Sequence, residues 1–292
     1  MTKQKKADLA LVLVTVCWGT SYYLMDLCME EMGPFMLNVY RFLGAFAVIG
    51  IFAFSKLRSV SRTTLKYSFF IGLVLIVVYS MATMGVKYTS QSNAGFLCAM
   101  AVIFTPMLLF ILYRIIPERK IILVLAMCVV GMALMTLNEH LQVASGDIMC
   151  LICSLAYAVY MVLIERALKH EDVDAFHLGT FQLLFTGLFM LILTLLFETP
   201  CLPQTGMCWF GVIFLSVFCT GACFIAQNLA QQYTSATHVG IIFCLEPLFA
   251  AVVAFFLAGE VLLPRAYAGA ALMLAGLLIM EVDLPAFRKG RE

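Results

Sequence analysis

The stretch YTSATHVGIIFCLEPLFAAVVAFFLAGE, residues 233–260, has a partial copy in YTSQSNAGFLCAMAVIFTPMLLFIL, residues 88–112. Both stretches open with Tyr-Thr-Ser, and at the same offset Asn93 aligns with His238. A duplicated hydrophobic unit is the sequence mark of membrane proteins built from internal repeats. The chain is therefore predicted to contain two copies of one unit.

The repeat extends in both directions from these stretches. Downstream, Gly131 aligns with Gly276, and upstream, at a slightly shorter offset, Arg41 aligns with Gln182. Each copy therefore covers nearly half of the chain. The two units are predicted to span residues 1–141 and 142–292.

The composition excludes a soluble domain. Apolar residues make up 63% of the 292 residues, charged residues only 12%, and the mean hydropathy is +1.02. A soluble fold needs far more charge to cover its surface. The net charge of +1 and the scattered basic residues give no sign of nucleic-acid binding. The chain is predicted to be an all-helical integral membrane protein.

Ten apolar segments are each close to the ~20 residues that a helix needs to cross a bilayer. Their presence predicts ten transmembrane helices, five in each unit. The segments are 8–27, 34–55, 67–87, 91–113, 120–138, 147–168, 176–197, 208–232, 236–258 and 265–282.

The distribution of lysine and arginine predicts the orientation. With a cytoplasmic N-terminus, fifteen basic residues fall in inner segments and only Lys87 and Arg265 in outer loops. This bias places both termini in the cytoplasm. Because five crossings is an odd number, the second unit must cross the membrane in the opposite direction. The fold class is therefore two inverted five-helix repeats around a central cavity.

Several motifs resemble those of an EamA-type permease of the drug/metabolite transporter superfamily. They are Trp18-Gly19-Thr20-Ser21, Arg41-Phe42, and the Thr234–Phe249 run TSATHVGIIFCLEPLF followed by Gly259-Glu260. The resemblance covers essentially the whole chain. It implies transport of small organic metabolites, commonly amino acids or amphipathic compounds, and often their export. The first copy departs from the pattern, because Ala101-Val102 stands where the second has Glu246-Pro247.

Glu246 is the first candidate for a functional residue. It lies about ten residues into its segment, ~15 Å deep in the membrane. A carboxylate at that depth either binds a proton or a substrate amine, or stays hydrogen-bonded and braces the helices. Pro247 removes a backbone hydrogen bond beside it and predicts a kink, as does Pro106 in the first copy.

Arg41 is the other charge predicted within the membrane, with Gln182 as its repeat mate. It binds a substrate carboxylate, or it has a structural role in which it either satisfies helix carbonyls or reaches toward the outer surface. Asn93 and His238 stand at helix starts, where they are either helix caps or, for His238, part of a pH-sensitive gate.

Aromatic and polar residues at matching places in the two copies predict a cavity wall. For each aromatic residue, ordinary helix packing is the alternative. The candidates are Trp18, Tyr22, Tyr79, Thr83, Phe96, Met100, Tyr157, Tyr160 and Asn228.

The eleven cysteines do not form a disulfide framework, because most lie within apolar segments where cysteine is a small packing residue. Cys201 and Cys208 share an outer loop and would pair only in an oxidising compartment. Cys150 and Cys153 have no second Cys/His pair nearby, so no metal site and no cofactor are predicted.

These features predict a secondary transporter in the cytoplasmic (inner) membrane. Its expected partners are the substrate, protons and membrane lipids, and it acts as a monomer or homodimer. An intramembrane enzyme is the first rival, but the sequence has neither HExxH nor GxSxG, and the SGD of residues 145–147 has no partner aspartate. The second rival is a sensor or partner subunit. The absence of a GxxxxGK[ST] motif argues against direct use of ATP.

Overall fold

The computed structural model describes residues 2–88, 96–136, 145–253, 255–256 and 264–281. Within these ranges every regular element is helical and no strand occurs. Ten helices follow the ten predicted segments and are numbered α1 to α10 in chain order. They are Lys3–Met29, Pro34–Leu57, Arg62–Tyr88, Phe96–Tyr113, Arg119–Thr136, Ser145–Ala167, Ala175–Phe197, Gly206–Gln231, Ala236–Val253 and Pro264–Glu281.

The helices have the length and the surface of membrane spans. Eight of those described are long and apolar enough to cross a bilayer, and α10 is a shorter apolar helix. Large apolar side chains point outward, as shown by Phe52 (86% exposed) and Leu196 (68% exposed). In water such a surface would drive aggregation, whereas lipid tails solvate it. The protein is therefore a multi-pass membrane protein, as predicted.

Helix packing follows the predicted repeat. Helix α1 of the first half packs on α8 and α9 of the second half. Its repeat mate, α6 of the second half, packs on α3 and α4 of the first half. The mates α2 and α7 pack on each other, and so do α5 and α10. Exchanging the halves therefore maps the contacts of α1 onto those of α6 and maps the α2–α7 and α5–α10 pairs onto themselves. With five crossings in each half, this symmetry is that of two inverted five-helix repeats.

Two glycines permit the closest helix approaches. A Cβ atom at Gly19 of α1 would lie 2.8 Å from the backbone of Phe249 in α9, so no larger residue fits there. A Cβ atom at Gly131 of α5 would lie 2.7 Å from the carbonyl oxygen of Gly269 in α10. Small residues at such crossings allow van der Waals packing of helices in a bilayer.

The α2 helix is capped from the other half of the molecule. Glu198, which follows α7, accepts hydrogen bonds from the backbone N–H groups of Phe35 (3.0 Å) and Met36 (2.8 Å). The Glu198 carboxylate occupies the place where a Cβ atom at Gly33 would lie, so a larger residue at position 33 would displace it. The negative carboxylate also opposes the positive end of the α2 dipole. This contact joins the two halves at the predicted outer surface.

Candidate functional site

A central cavity of about 140 Å³ lies between the two halves. Its wall is formed by α1, α2, α3, α4, α6 and α9, so both repeats contribute to it. An engineered cavity of ~150 Å³ holds a benzene molecule. The cavity therefore has the size of a small organic ligand.

Arg41 of α2 brings a positive charge to this wall, although the residue is only 2% exposed. Its Nε donates to Oγ1 of Thr220 (3.2 Å), and its Nη1 donates to Sδ of Met25 (3.1 Å). The guanidinium carbon lies 5.2 Å from the centre of the Tyr79 ring, within the range of a cation–π contact. The side chain therefore points inward and does not reach toward the outer surface.

Glu246 of α9 brings a negative charge to the same wall. The hydroxyl of Tyr22 and the guanidinium of Arg41 are close enough to act on its carboxylate. Regular α-helix stops at Phe243 and resumes at Glu246, so the carboxylate lies at an interruption of α9. Pro247, which also lines the cavity, cannot donate a backbone hydrogen bond there. Opposite charges and a helix break thus meet inside the membrane.

Aromatic rings form the apolar part of the wall around Trp18. Its ring centroid lies 4.8 Å from that of Phe243 and 6.3 Å from that of Tyr157. The indole Nε1 donates to the carbonyl oxygen of Cys219 in α8 (2.8 Å) and is thereby held in place. A wall of this kind accepts an apolar or aromatic group and keeps it away from the charged groups.

Comparison with known proteins agrees with this architecture. The sequence profile of the EamA-like transporter family matches residues 5–137 and 144–282.

The chain belongs to the EamA-like transporter family.

Relatives of this EamA-like protein are described only as transporters. An uncharacterized transporter from Archaeoglobus fulgidus is 26% identical over 282 residues, which cover 96% of this chain and 87% of the relative. The uncharacterized transporter YoaV of Bacillus subtilis is 20% identical over 257 residues, covering 84% and 86%. A solved crystal structure with 15% identity has a TM-score of 0.80 and covers 94% of this chain and 96% of its own, which shows a shared fold. The protein is therefore a membrane transporter.

The structure of the EamA-like protein brings many of the predicted site residues together at the cavity. They come from five helices, three in the first half of the chain and two in the second. The predicted residues in the wall are Trp18, Tyr22, Arg41, Tyr79, Thr83, Tyr157, Glu246 and Pro247.

Other predicted contacts lie behind the wall. Tyr160 is completely buried, because its ring packs on Tyr157 and Phe224. Gln182 donates to the Tyr160 hydroxyl (3.5 Å), and Asn228 donates to the carbonyl of Phe224 in its own helix (2.8 Å). These side chains support the aromatic wall from behind.

Three further candidates lie in α4 but not in the cavity wall. Phe96 and Met100 pack half-buried against the core outside the cavity wall. Pro106 lies inside the Ala101–Tyr113 part of α4, which stays helical around it. Asn93 lies outside the described residues.

His238 also lies outside the cavity wall, and it is not the cap of α9. Ser235 caps this helix, because its hydroxyl accepts from the backbone N–H of His238 (3.3 Å). The imidazole Nε2 instead lies 3.2 Å from Oδ1 of Asp8 in α1. The side chain therefore links two helices at the predicted cytoplasmic end.

Several wall residues are not among the predicted ones. In α1, Ser21 and Met25 line the cavity and share a helix face with Trp18 and Tyr22. Residues 18, 21, 22 and 25 have the spacing of one face of an α-helix. The sequence could therefore have predicted that Ser21 and Met25 lie on the same face as Trp18 and Tyr22. Phe243 precedes Glu246 by one turn and could have been found in the same way.

Two cysteines that were predicted to be packing residues, Cys98 and Cys153, line the cavity. Cys201 and Cys208 are free thiols in the structure, and Cys201 donates to the carbonyl of Glu31 (Sγ–O 3.9 Å). Among the described residues, no group of three His, Cys, Asp or Glu side chains is arranged to hold a metal ion.

Proposed function

We propose that this protein is a secondary transporter that exports small amino-acid-like or amphipathic metabolites by alternating access. One observation carries the proposal: Arg41 and Glu246 bring opposite charges to one small cavity whose other wall is aromatic. A zwitterion presents a carboxylate and an ammonium group at a fixed separation. The two side chains are suited to these two groups, and the Trp18 and Phe243 rings are suited to an apolar substituent.

The architecture supports the transport mechanism. Inverted repeats allow two arrangements of the same helices that are related by a pseudo-two-fold axis in the membrane plane, one open to each side of the membrane. In this proposal the halves 1–141 and 142–292 move relative to each other around the cavity. Both termini lie in the cytoplasm, since the basic residues are concentrated in the corresponding loops. The EamA resemblance supports the cytoplasmic membrane as the site and export as the direction.

Glu246 is the group proposed to couple transport to a proton gradient. A carboxylate at the cavity binds a proton when the substrate ammonium is absent and releases it when the ammonium arrives. Proton binding and substrate binding then exclude each other, which is the requirement for exchange of one for the other. Facilitated diffusion, in which Glu246 only binds substrate, is the alternative that the same geometry permits.

The test is flux into sealed liposomes that contain only the purified protein. The panel consists of radiolabelled leucine, phenylalanine, phenylethylamine and a neutral sugar, and counterflow detects exchange without an energy source. Exchange of the amino acids is expected, with at least a tenfold loss in Arg41→Gln and little change in Arg62→Gln, an exposed arginine outside the cavity. Equal counterflow in protein-free liposomes for every compound would reject the proposal.

A further inference from the structure

A π-helical segment interrupts α8 next to the cavity. It spans Leu215–Ala222, between the α-helical parts Gly206–Phe214 and Cys223–Gln231. Segments of π-helix are rare, occur mostly as short interruptions of α-helices, and are frequently found at functional sites. Here the segment does not line the cavity, but two of its polar atoms contact side chains that do. The carbonyl of Cys219 accepts from Trp18, and the hydroxyl of Thr220 accepts from Arg41.

Thr220 is the main directional acceptor for the Arg41 guanidinium. The hydroxyl is fully buried, and the Nε–Oγ1 distance is 3.2 Å. The other direct contacts are the Met25 thioether and the face of the Tyr79 ring, and the Glu246 carboxyl group interacts with the guanidinium through space without a hydrogen bond. A thioether is a weak acceptor, and a ring face attracts the charge without fixing the in-plane rotation of the guanidinium. Thr220 therefore determines how the guanidinium plane is turned.

This arrangement leaves part of the guanidinium for a ligand. Nε and Nη1 have acceptors, whereas no described residue accepts from Nη2. A buried guanidinium with a remaining donor beside an apolar cavity favours a carboxylate, which forms short charge-assisted hydrogen bonds. The direction of that donor depends on the hydrogen bond at Nε.

The packing of α2 on the π-helical segment maintains this contact. A Cβ atom at Gly44 of α2 would lie 2.6 Å from Oγ of Ser216, so the two helices approach closely one turn away from Arg41. At the adjacent position of α2, a Cβ atom at Gly221, the residue after Thr220, would lie 3.4 Å from Cβ of Ala45. These two contacts hold α2 close to α8 about one turn after Arg41.

We propose that Thr220 is a positioning residue for substrate binding: its hydroxyl orients the Arg41 guanidinium so that Nη2 faces a substrate carboxylate. This inference rests on the proposed function and adds the residue that determines affinity for the anionic end of the substrate. It predicts that Thr220 controls discrimination between a carboxylate and a neutral group of the same size.

The experiment measures binding of benzoate and of benzyl alcohol, two ligands of the size of the cavity. The chain has two tryptophans, so a Trp209→Phe background leaves Trp18 in the cavity wall as the fluorescent reporter. Saturable quenching gives the dissociation constants for the purified full-length protein. Benzoate is expected to bind at least tenfold more tightly than benzyl alcohol, since a charge-assisted hydrogen bond contributes more than ~1.4 kcal/mol.

Thr220→Val keeps the shape of the side chain and removes the acceptor. The benzoate dissociation constant is expected to rise about tenfold, whereas that of benzyl alcohol stays unchanged. Thr220→Ser restores the hydroxyl and should restore benzoate binding. Thr186→Val is the matched control, because Thr186 is equally buried but donates only to Gln182 in its own helix. Thr220→Ala is measured in parallel, so that a folding defect specific to valine does not decide the result.

Two results would overturn the inference. One is an unchanged ratio of benzoate to benzyl alcohol affinity in both Thr220→Val and Thr220→Ala. The other is equal binding of the two ligands by the unaltered protein. The proposed function is tested separately by counterflow. If no compound of the panel is exchanged but benzoate binding depends on the Thr220 hydroxyl, transport of these compounds is rejected and the carboxylate-binding site is retained. Amino-acid flux without benzoate discrimination keeps the transporter and removes the role of Thr220.

Discussion

His238 at the start of α9 pairs with Asp8 at the start of α1, with 3.2 Å between Nε2 and Oδ1. Both side chains are largely buried, at 17% and 10% exposure. Close to this pair, Nζ of Lys3 lies 5.6 Å from the ring centre of Tyr233. The N-terminal end of α1 is therefore fastened to the beginning of α9 at the predicted cytoplasmic end.

A double-mutant cycle should detect this link. Asp8→Asn and His238→Gln are each expected to lower the free energy of unfolding, because each changes one side of a largely buried polar contact and leaves the other side chain in place. The double variant should lose less than the sum, with a coupling of about 1–2 kcal/mol. Denaturant unfolding in detergent measures the four proteins, and Lys5→Gln, an exposed residue on the same helix end, is the control. Strictly additive losses would show that the pair does not stabilise the fold.

The Glu246→Gln variant distinguishes coupling of transport to a proton gradient from a purely structural role of Glu246 between the helices. Glutamine has the shape of the protonated side chain, so a transporter that couples through Glu246 should lose pH-driven accumulation while substrate exchange survives. If the residue only braces the helices, Gln retains the pH response, and Ala lowers thermal stability by removing a hydrogen-bonding group. Uptake with and without an imposed pH gradient distinguishes these outcomes, and exposed Glu30→Gln is the control. A Gln variant that still concentrates substrate ends the coupling hypothesis.

Replacing any one of three aromatic residues of the cavity wall by alanine should weaken substrate binding. Trp18→Ala, Tyr22→Ala and Tyr157→Ala each remove ring contacts that contribute about 1 kcal/mol, or about fivefold in affinity. We expect a higher KM for flux with near-normal yield and helical content. Phe52→Ala, at an 86% exposed position, should leave the KM unchanged. Wild-type KM in all three wall variants would remove these residues from the site.

Labelling of single cysteines should establish the orientation. In a cysteine-free background, Ser59→Cys should react only with membrane-permeant thiol reagents in whole cells, and Gln204→Cys also with impermeant ones. Both positions are exposed in connections between helices, so burial does not confuse the comparison. Reaction of Ser59→Cys with an impermeant reagent would invert the topology and contradict the charge bias.

Glu31 should give an acid-sensitive contact at the predicted outer end. The Thr205 hydroxyl and the backbone N–H groups of Gln204 and Thr205 donate to its carboxylate and hold its pKa below the ordinary value of 4.5. Because the pKa is depressed in the folded state, the stabilisation is present above pH 4.5 and is lost as the pH falls through the folded pKa.

The measurement is the melting temperature of the unaltered protein and of Glu31→Gln as a function of pH. We expect a gap between them at pH 7 that closes on acidification below pH 4.5. Glu30→Gln, at the exposed neighbouring position, should show no such gap. If the difference in melting temperature between the two proteins stayed constant down to pH 3, the negative charge of Glu31 would not be the source of the stabilisation.

The sequence by itself determined the class of fold. Hydropathy, the repeat and the basic residues predicted ten helices in two five-helix units, because in lipid the backbone must satisfy its hydrogen bonds within each helix. A span therefore has a fixed length that is visible as an apolar run. The intramembrane charges Arg41 and Glu246 were also visible, since charges are rare in such runs.

Only the tertiary structure decided which polar residues share the cavity. Tyr157 and Tyr160 are close on one helix, yet Tyr157 lines the cavity and Tyr160 packs behind it, because helix rotation is set by packing against α8. The contact between Thr220 and Arg41 joins residues 179 positions apart. It depends on a π-helical segment that no local sequence pattern predicted. Local periodicity fixes which residues form each helix, whereas the depth and rotation of each helix follow from close contacts with distant parts of the chain.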